Sequence, residues 1–216
     1  MKTVGLLGSS NYKRATEYLE SINGVLKEYF REKRTAKTVM STIDISEISE
    51  DKVMYSKEII YYSSILREAG ANILVLCDEM DHEHVKAIRR NINMPVVHIG
   101  EAVGEKLKAD NIKKTLLIGS RDAMQAEFYI SAINRSGVQV YVPQMKVINE
   151  IHDLIDKKED PIKLISTIEA YRMKGVSGVV FTENVGIAST DLSMNVYNSF
   201  DIHVEAIVNE MIKGIG

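Results

Sequence analysis

The chain has 216 residues, of which 45% are hydrophobic and 26% charged, and its formal net charge is −3. This length can bury one large core or two modest ones, and the low net charge excludes the basic field typical of nucleic-acid binding. A single cysteine, three prolines, no apolar run long enough for a membrane span and no signal peptide predict an ordered cytoplasmic protein that binds neither nucleic acid nor membrane.

The first half of the chain predicts strands and helices in alternation. Continuous apolar runs that end near glycine are typical of buried parallel strands. Apolar residues at three- and four-residue spacing predict helices. In chain order we expect a strand at 3–8, a helix at 15–30, a strand at 37–43, a helix ending near Glu68 with a glycine cap at Gly70, a strand at 71–76, a helix at 85–92 and a strand at 95–99.

The second half repeats this order. The predicted elements are a strand at 114–119, a helix at 124–134, a strand at 137–142, helical segments at 147–155 and 162–174, a strand at 175–181 and a final helix at 202–212. Alternating strands and helices with continuous apolar strands predict an α/β fold with two similar parallel-sheet half-domains.

The two halves also share residue types at aligned positions. Residues 18–23 read Tyr-Leu-Glu-Ser-Ile-Asn, and residues 129–134 read Tyr-Ile-Ser-Ala-Ile-Asn. The same offset aligns Gly8-Ser9 with Gly119-Ser120, and a slightly shorter one aligns Cys77 with Thr182. Any two strand–helix units share apolar strands, but the polar positions match here too, so we predict an internal duplication.

We expect residues 1–100 with 200–216 to form an N-terminal domain that carries Cys77, and residues 101–199 to form a C-terminal domain that carries Thr182. Ligands of parallel α/β domains lie at the carboxyl ends of the strands. If a pseudo-twofold axis relates the half-domains, the active-site cleft lies between them and the two residues approach one ligand from opposite sides. Such a pair suits removal of a proton from one face of a carbon and its return to the other.

Five segments carry a more specific pattern. They are Met-Lys-Thr-Val-Gly-Leu-Leu-Gly at 1–8; an apolar strand running into Cys77; Gly-Ser-Arg-Asp-Ala-Met at 119–124; Val-Val-Phe-Thr-Glu-Asn-Val-Gly at 179–186; and Asn198-Ser199 with His203. Together they resemble the aspartate/glutamate racemase superfamily, the cofactor-independent racemases, over essentially the whole chain. In that family the strand before the first cysteine runs into Cys-Asn-Thr, and the second cysteine stands in Gly-Cys-Thr-Glu-Ile.

The resemblance implies a pyridoxal-phosphate-independent amino-acid racemase that uses no cofactor or metal, forms a homodimer and acts on an amino acid or related carboxylic acid. It assigns Cys77 as the acid/base at the α-carbon and places Thr182 where the family has its second cysteine. The substrate-binding residues that it implies are Ser9, Ser10, Asp78, Glu79, Ser120, Glu183, Asn198, Ser199 and His203.

The residues leave alternatives open. Cys77 also fits a small buried hydrophobe, and Thr182 a satisfied strand-end hydroxyl, since a hydroxyl is far too weak an acid and base to replace a thiolate unaided. A single thiol suits a one-face enzyme of the decarboxylase type, and loss of the second cysteine suits a non-catalytic ligand-binding relative.

The acidic residues near the two strand ends raise a separate question. An acidic substrate would be repelled by Asp78, Glu79 and Glu183, by about 4 kcal/mol per pair of charges at 4 Å. Alternatively, Asp78 and Glu79 cap the following helix. The run from Asp81 to His84 lacks the spacing of a zinc helix, and we predict a solvated helix start there.

Overall fold

Two α/β units, each built on an all-parallel sheet, make up the structure. The computed structural model describes residues 1–9, 12–31, 34–44, 52–157 and 160–214. Contacts within the chain group Met1–His98 with His203–Gly216 as unit 1 and Ile99–Ile202 as unit 2. Within the described ranges, no helix combines the length and the apolar character needed to cross a membrane.

Unit 1 contains a three-stranded sheet in the order β2-β1-β3. Its elements are β1 (Val4–Gly8), α1 (Tyr12–Phe30), β2 (Thr38–Thr42), α2 (Lys52–Glu68), β3 (Ile73–Leu76), a 3-10 turn (Met80–His84) and α3 (Val85–Asn91). Every residue of β1 and β3 is buried, which explains their continuous apolar sequences. The predicted cap after α2 is confirmed, since Gly70 has a φ of 97° and the amide of Ala71 bonds the carbonyl of Leu66 at 3.0 Å.

Unit 2 contains a four-stranded sheet in the order β5-β4-β6-β7. The elements that follow α3 are α4 (Ile99–Ala109), β4 (Lys114–Ile118), α5 (Arg121–Gln125), α6 (Glu127–Arg135), β5 (Gln139–Tyr141), α7 (Met145–Lys157), α8 (Pro161–Glu169), a 3-10 turn (Ala170–Lys174), β6 (Gly178–Phe181), a short 3-10 turn (Ser189–Asp191), β7 (Asn195–Asn198) and α9 (Ser199–Ile212). The predicted α/β architecture with two parallel sheets is therefore confirmed.

The topology supports the predicted duplication. In both sheets the first strand is central, the second strand pairs on one side and the third on the other. A matched asparagine in each repeat accepts a backbone amide near the next strand: Asn23 Oδ1 of α1 accepts the amide of Ala36 at 2.8 Å, and Asn134 Oδ1 of α6 accepts the amide of Val140 at 3.1 Å. Each side chain thereby links its helix to the chain around the start of the following strand.

The two repeats exchange their closing helices. Beyond the third strand, Val96 bridges Leu74 in unit 1, and Val196 pairs with Val179 at the aligned position of unit 2. A helix follows each of these segments, α4 in the first repeat and α9 in the second. Helix α4 nevertheless belongs to unit 2, and most of α9 belongs to unit 1. Each repeat thus supplies the last helix of the other unit.

Three local predictions were wrong or incomplete. The strand expected at 95–99 reduces to the single bridge at Val96, because helix α4 already begins at Ile99. The helix expected at 124–134 is two helices, broken by the extended backbone of Ala126. Strand β7 and helix α4 had no counterpart in the prediction.

The matched asparagines allow a test of the repeat. We expect Asn23→Ala and Asn134→Ala each to lower the free energy of unfolding by about 1–2 kcal/mol, because each leaves a strand-entry amide without its acceptor. The effects should add in the double variant, because the two residues lie in different units. Urea unfolding would measure them, with Asn91→Ala as the control, since the exposed Asn91 side chain bonds only within its own helix. A control loss as large as the other two would contradict the assignment.

Candidate active site

Cys77 is held at the carboxyl end of β3. Its backbone amide donates to the carbonyl of Leu7 in the neighbouring strand β1 at 2.9 Å, so the parallel ladder continues one step past the strand. The residue is 1% exposed. The thiol therefore lies at the strand edge where parallel α/β domains bind their ligands.

Thr182 occupies the aligned position in unit 2. Its amide donates to the carbonyl of Ile118 at 2.9 Å, which is the counterpart of the bond that holds Cys77. Its side chain lies directly over Gly119, where an added Cβ would stand 1.9 Å from Thr182 Oγ1. Only glycine fits beneath this hydroxyl, so Gly119 and Thr182 pack directly against each other.

The environment of Cys77 keeps its sulfur protonated. Burial raises the pKa of the thiol far above its usual value, and the negative charges of Asp81 and Asp78 raise it further. The nearby guanidinium of Arg14 acts in the opposite direction. In the ligand-free protein Cys77 is consequently a thiol at neutral pH.

Asp81 is a buried carboxyl, and His82 beside it is buried too, so the prediction of a solvated helix start at 81–84 was wrong. Asp81 is 2% exposed and lies in the 3-10 turn after β3. Ser9 Oγ donates to Asp81 Oδ2 at 2.5 Å, and the Tyr55 hydroxyl donates to Asp81 Oδ1 at 2.6 Å. Burial raises the pKa of Asp81 to about 6, although the two hydroxyl donors stabilise its ionised form. The only sequence signal was the acidic run after Cys77, and nothing in the sequence pointed to Tyr55.

The hydrogen bond to Asp81 defines what Ser9 can offer a ligand. While Asp81 is ionised, the Ser9 hydroxyl proton points at the carboxylate and the oxygen lone pairs remain as acceptors. Ser10, the other serine predicted after β1, lies outside the described residues.

The two acidic residues after Cys77 differ in their contacts. Asp78 is half-buried, and its Oδ1 accepts the amide of Met80 at 3.1 Å, as the capping interpretation predicts. Glu79 is half-buried and its side chain makes no cap bond to the 3-10 turn. A cavity of about 320 Å³ opens beside this turn, and its lining residues are Lys52, Tyr55, Asp78, Met80, Asp81, Glu83 and His84.

In unit 2 the predicted site residues lie near helix starts. Ser120 Oγ accepts the amide of Ala123 at 3.2 Å and caps α5, which leaves its hydroxyl proton for another acceptor. Asn198 is exposed, and its Oδ1 accepts the amide of Phe200 at 2.9 Å at the start of α9.

Ser199 is fully buried, and its hydroxyl has no hydrogen-bond partner within the described part of the chain. Glu183 follows Thr182 on the surface, and partial desolvation raises the pKa of its carboxyl.

His203 lies in the core of unit 1 with both ring nitrogens engaged. Nε2 lies 2.9 Å from the carbonyl of Val97, so this nitrogen carries the proton. Nδ1 lies 2.7 Å from the Tyr18 hydroxyl and therefore accepts its proton. Burial lowers the pKa of His203 to about 4, which keeps this tautomer neutral at physiological pH.

His203 belongs to a group of three buried histidines. The ring of His82 lies 5.2 Å from that of His203 and 4.9 Å from that of His98, measured between centroids. Burial also lowers the pKa of His82 well below its usual value. Among the described residues, no group of three or more His, Cys, Asp or Glu side chains is arranged to hold a metal ion.

The close approach of Thr182 to Gly119 generates one prediction. We expect Gly119→Ala to lower the free energy of unfolding by about 1–3 kcal/mol, because the new methyl group overlaps the Thr182 hydroxyl. Thr182→Ala in the same background should recover part of the loss, which chemical denaturation would show as a coupling energy. Gly24→Ala is the matched control, since nothing lies within 4 Å of an added Cβ there and alanine favours the helix. Equal losses at both glycines would contradict this explanation.

The buried histidine generates a second prediction, on pH. Because the pKa of His203 is about 4 in the fold and 6.5 ordinarily, the folded state binds fewer protons than the unfolded state between these values. Wild-type stability relative to His203→Gln should therefore fall by about 3 kcal/mol between pH 7 and pH 4. Denaturant titrations of both proteins across this range would measure the difference. The raised pKa of Asp81 has the opposite sign, but it is present in both proteins and cancels; a difference that does not change with pH would contradict the prediction.

Comparison with known proteins identifies the family. The family model described as Asp/Glu/hydantoin racemase matches residues 11–207. An aspartate racemase homologue from Pyrococcus horikoshii OT3 superposes with a TM-score of 0.90 at 24% identity, covering 99% of this chain and 100% of that one. Picrophilus torridus aspartate racemase gives 0.65 at 12% identity over 99% and 94% of the two chains, and Aquifex pyrophilus glutamate racemase gives 0.62 at 17% over 96% and 83%. The resemblance predicted from the sequence is confirmed: this chain belongs to the Asp/Glu/hydantoin racemase family.

Proposed function

We propose that this protein is a pyridoxal-phosphate-independent amino-acid racemase in which Cys77 is the acid/base at the α-carbon and Thr182 is its atypical partner. The observation that carries the proposal is the position of Cys77. It is the chain's one cysteine, it follows the buried strand β3, and a backbone bond to Leu7 holds it at the ligand-binding edge of the sheet. Family membership supplies the reaction class.

The chemistry begins from a protonated thiol. A thiolate abstracts an α-proton well because the pKa of a thiol lies near neutral pH in a favourable site. Burial and the charge of Asp81 oppose that ionised form in the free protein. The α-ammonium group of a bound amino acid brings positive charge, which favours the thiolate of Cys77.

Thr182 limits the second half of the reaction. Its hydroxyl is too weak an acid to deliver a proton to a carbanion unaided, so it acts by relaying a proton or by holding a water molecule. We therefore expect slow or one-sided racemisation compared with an enzyme that has two thiols.

The remaining polar groups fit substrate binding. Ser120 keeps a hydroxyl proton for a substrate carboxylate, and the buried hydroxyl of Ser199 is the second candidate donor. Asp78 and Glu183 disfavour a second negative charge on the substrate. The proposal includes a cytoplasmic homodimer that needs no cofactor.

Exchange of the α-proton tests the function directly. Acidic, neutral and basic amino acids are incubated with the protein in deuterated water, loss of the α-proton is followed by NMR, and inversion is followed by chiral chromatography. We expect exchange with at least one amino acid, and a fall of about 10²–10⁴-fold in Cys77→Ala because the acid/base group is lost. Absence of exchange across the panel would refute the racemase proposal.

Two further variants separate the roles of the pair. Thr182→Cys supplies a second thiol and should raise the rate of inversion more than the rate of exchange. Thr182→Ala should lower inversion while Cys77-dependent exchange persists. Exchange without inversion in the wild type would instead identify an enzyme that protonates one face only. Circular dichroism and thermal unfolding of each variant check that the fold is retained.

A further inference from the structure

We propose that Asp81 is a positioning residue for Cys77: its carboxyl, oriented by Ser9 and Tyr55, shares a single proton with the thiol and holds that proton when the sulfur is ionised. This inference deepens the proposed function, because it rests on Cys77 as the acid/base. It assigns a proton-handling role to a residue outside the predicted pair.

The geometry brings the two groups together at one strand edge. The register of β1 with β3 pairs Leu7 with Leu76, so Ser9 and Cys77 follow directly on adjacent strands. The chain from Cys77 to Asp81 is fixed to β1 at both ends, by the amide of Cys77 on Leu7 and by the Ser9 hydroxyl on Asp81 Oδ2. Both Cys77 and Asp81 are at most 2% exposed. Two buried acidic groups are thus held at the same end of the sheet.

The hydrogen bonds give the carboxyl a defined orientation. Ser9 reaches it from the end of β1 at 2.5 Å, and Tyr55 reaches it from α2 at 2.6 Å. Each carboxylate oxygen accepts one hydroxyl proton, which is how buried charges are commonly tolerated. These contacts fix Asp81 even though the chain around it is a short 3-10 turn.

The surrounding charges act on both members of the pair. Arg14 of α1 favours ionisation of Cys77, and Asp78, which precedes the 3-10 turn, opposes ionisation of both Cys77 and Asp81. Tyr18 of α1 also faces Cys77, and its burial keeps the phenol neutral. The cavity beside Asp81 adds the charges of Lys52 from α2 and of Glu83 from the turn, with His84 as a further titratable group.

Because both groups are buried and the negative charge of Asp81 opposes ionisation of Cys77, the two do not ionise together at neutral pH. The pair therefore carries one proton in two arrangements: thiol with carboxylate, or thiolate with carboxylic acid. Moving the proton from sulfur to the carboxyl breaks an S–H bond, forms an O–H bond and leaves the net charge unchanged. The second arrangement contains the thiolate that abstracts the α-proton.

The single cysteine makes this testable without substrate. Alkylation of Cys77 by iodoacetamide reports the thiolate fraction as a function of pH. In the wild type the rate should rise tenfold per pH unit below pH 6, where Asp81 is protonated, and flatten above it, because each further ionisation of Asp81 opposes that of the thiol. In Asp81→Asn the tenfold rise should continue, so that the two proteins react equally near pH 5 and the variant about tenfold faster at pH 7.

Tyr55→Phe is the matched control. It removes a hydrogen bond that stabilises ionised Asp81, so the inflection near pH 6 should move to higher pH. A structural loosening of the turn would speed alkylation by the same factor at every pH and would not move the inflection. Parallel wild-type and Asp81→Asn profiles, or an inflection that Tyr55→Phe leaves in place, would overturn the proposal.

A second measurement does not depend on reagent access. Labelling of cysteine with ¹³C at Cβ gives a single resonance, which should titrate near pH 6 in the wild type and lose that step in Asp81→Asn. A resonance that passes through this range unchanged in the wild type would also overturn the proposal. Because no amino acid is present in either experiment, failure here is distinguishable from failure of the racemase activity.

Discussion

One backbone hydrogen bond in each unit places the candidate chemistry. The residue after the third strand donates its amide to the central strand, Cys77 to Leu7 in unit 1 and Thr182 to Ile118 in unit 2. Breaking such a hydrogen bond between buried strand ends would leave a backbone amide and a carbonyl without partners. The side chain at that position is therefore held at the sheet edge whatever its chemical type. This explains how a thiol and a hydroxyl come to occupy equivalent places in a duplicated fold.

Desolvation then decides which protonation states are accessible. The same burial that fixes Cys77 disfavours its thiolate, raises the pKa of Asp81 and lowers the pKa of His203. Cys77 and His203 are therefore neutral in the free protein at physiological pH, whereas Asp81 loses its proton above about pH 6. A cationic ligand group changes this balance for the two acids, whereas His203 is insulated by its bonds to Tyr18 and Val97. Before a ligand binds, the ionised carboxyl of Asp81 thus lies at the same sheet end as the neutral thiol of Cys77.

The sequence predicted most of the fold because buried parallel strands leave a strong signal. Strands such as Ile73–Leu76 are apolar at every position. Glycine caps marked the ends of helices, and matching residues in the two halves indicated equivalent elements. Strand β7 was missed because Asn195–Asn198 begins and ends with asparagine, and the segment at Val96 was overestimated because its apolar letters support only one bridge. The exchange of α4 and α9 between units has no sequence signature, since it depends on where each helix packs.

The site was predicted less completely, for a related reason. Cys77 and Thr182 follow strands and were found by alignment of the repeats, but Asp81 and Tyr55 meet through a turn and a helix that are far apart in sequence. Hydrogen-bond direction was also inaccessible: the Ser9 hydroxyl gives its proton to Asp81, whereas that of Ser120 accepts a helix amide. The two aligned serines therefore have different hydrogen-bonding roles, and these roles follow from their partners in the structure.

That difference extends to the whole of the two strand ends. At the offset that aligns Cys77 with Thr182, the counterpart of Asp81 is Gly186, which has a φ of 70° and no side chain to hold a proton. The hydroxyl of Thr182 lies over Gly119, a position that a Cβ would fill. One repeat thus has a thiol and a carboxyl at these two aligned positions, while the other has a hydroxyl and a glycine. Since proton transfer needs groups whose acidities can be matched, the proton-sharing pair proposed for unit 1 has no equivalent at the aligned positions of unit 2.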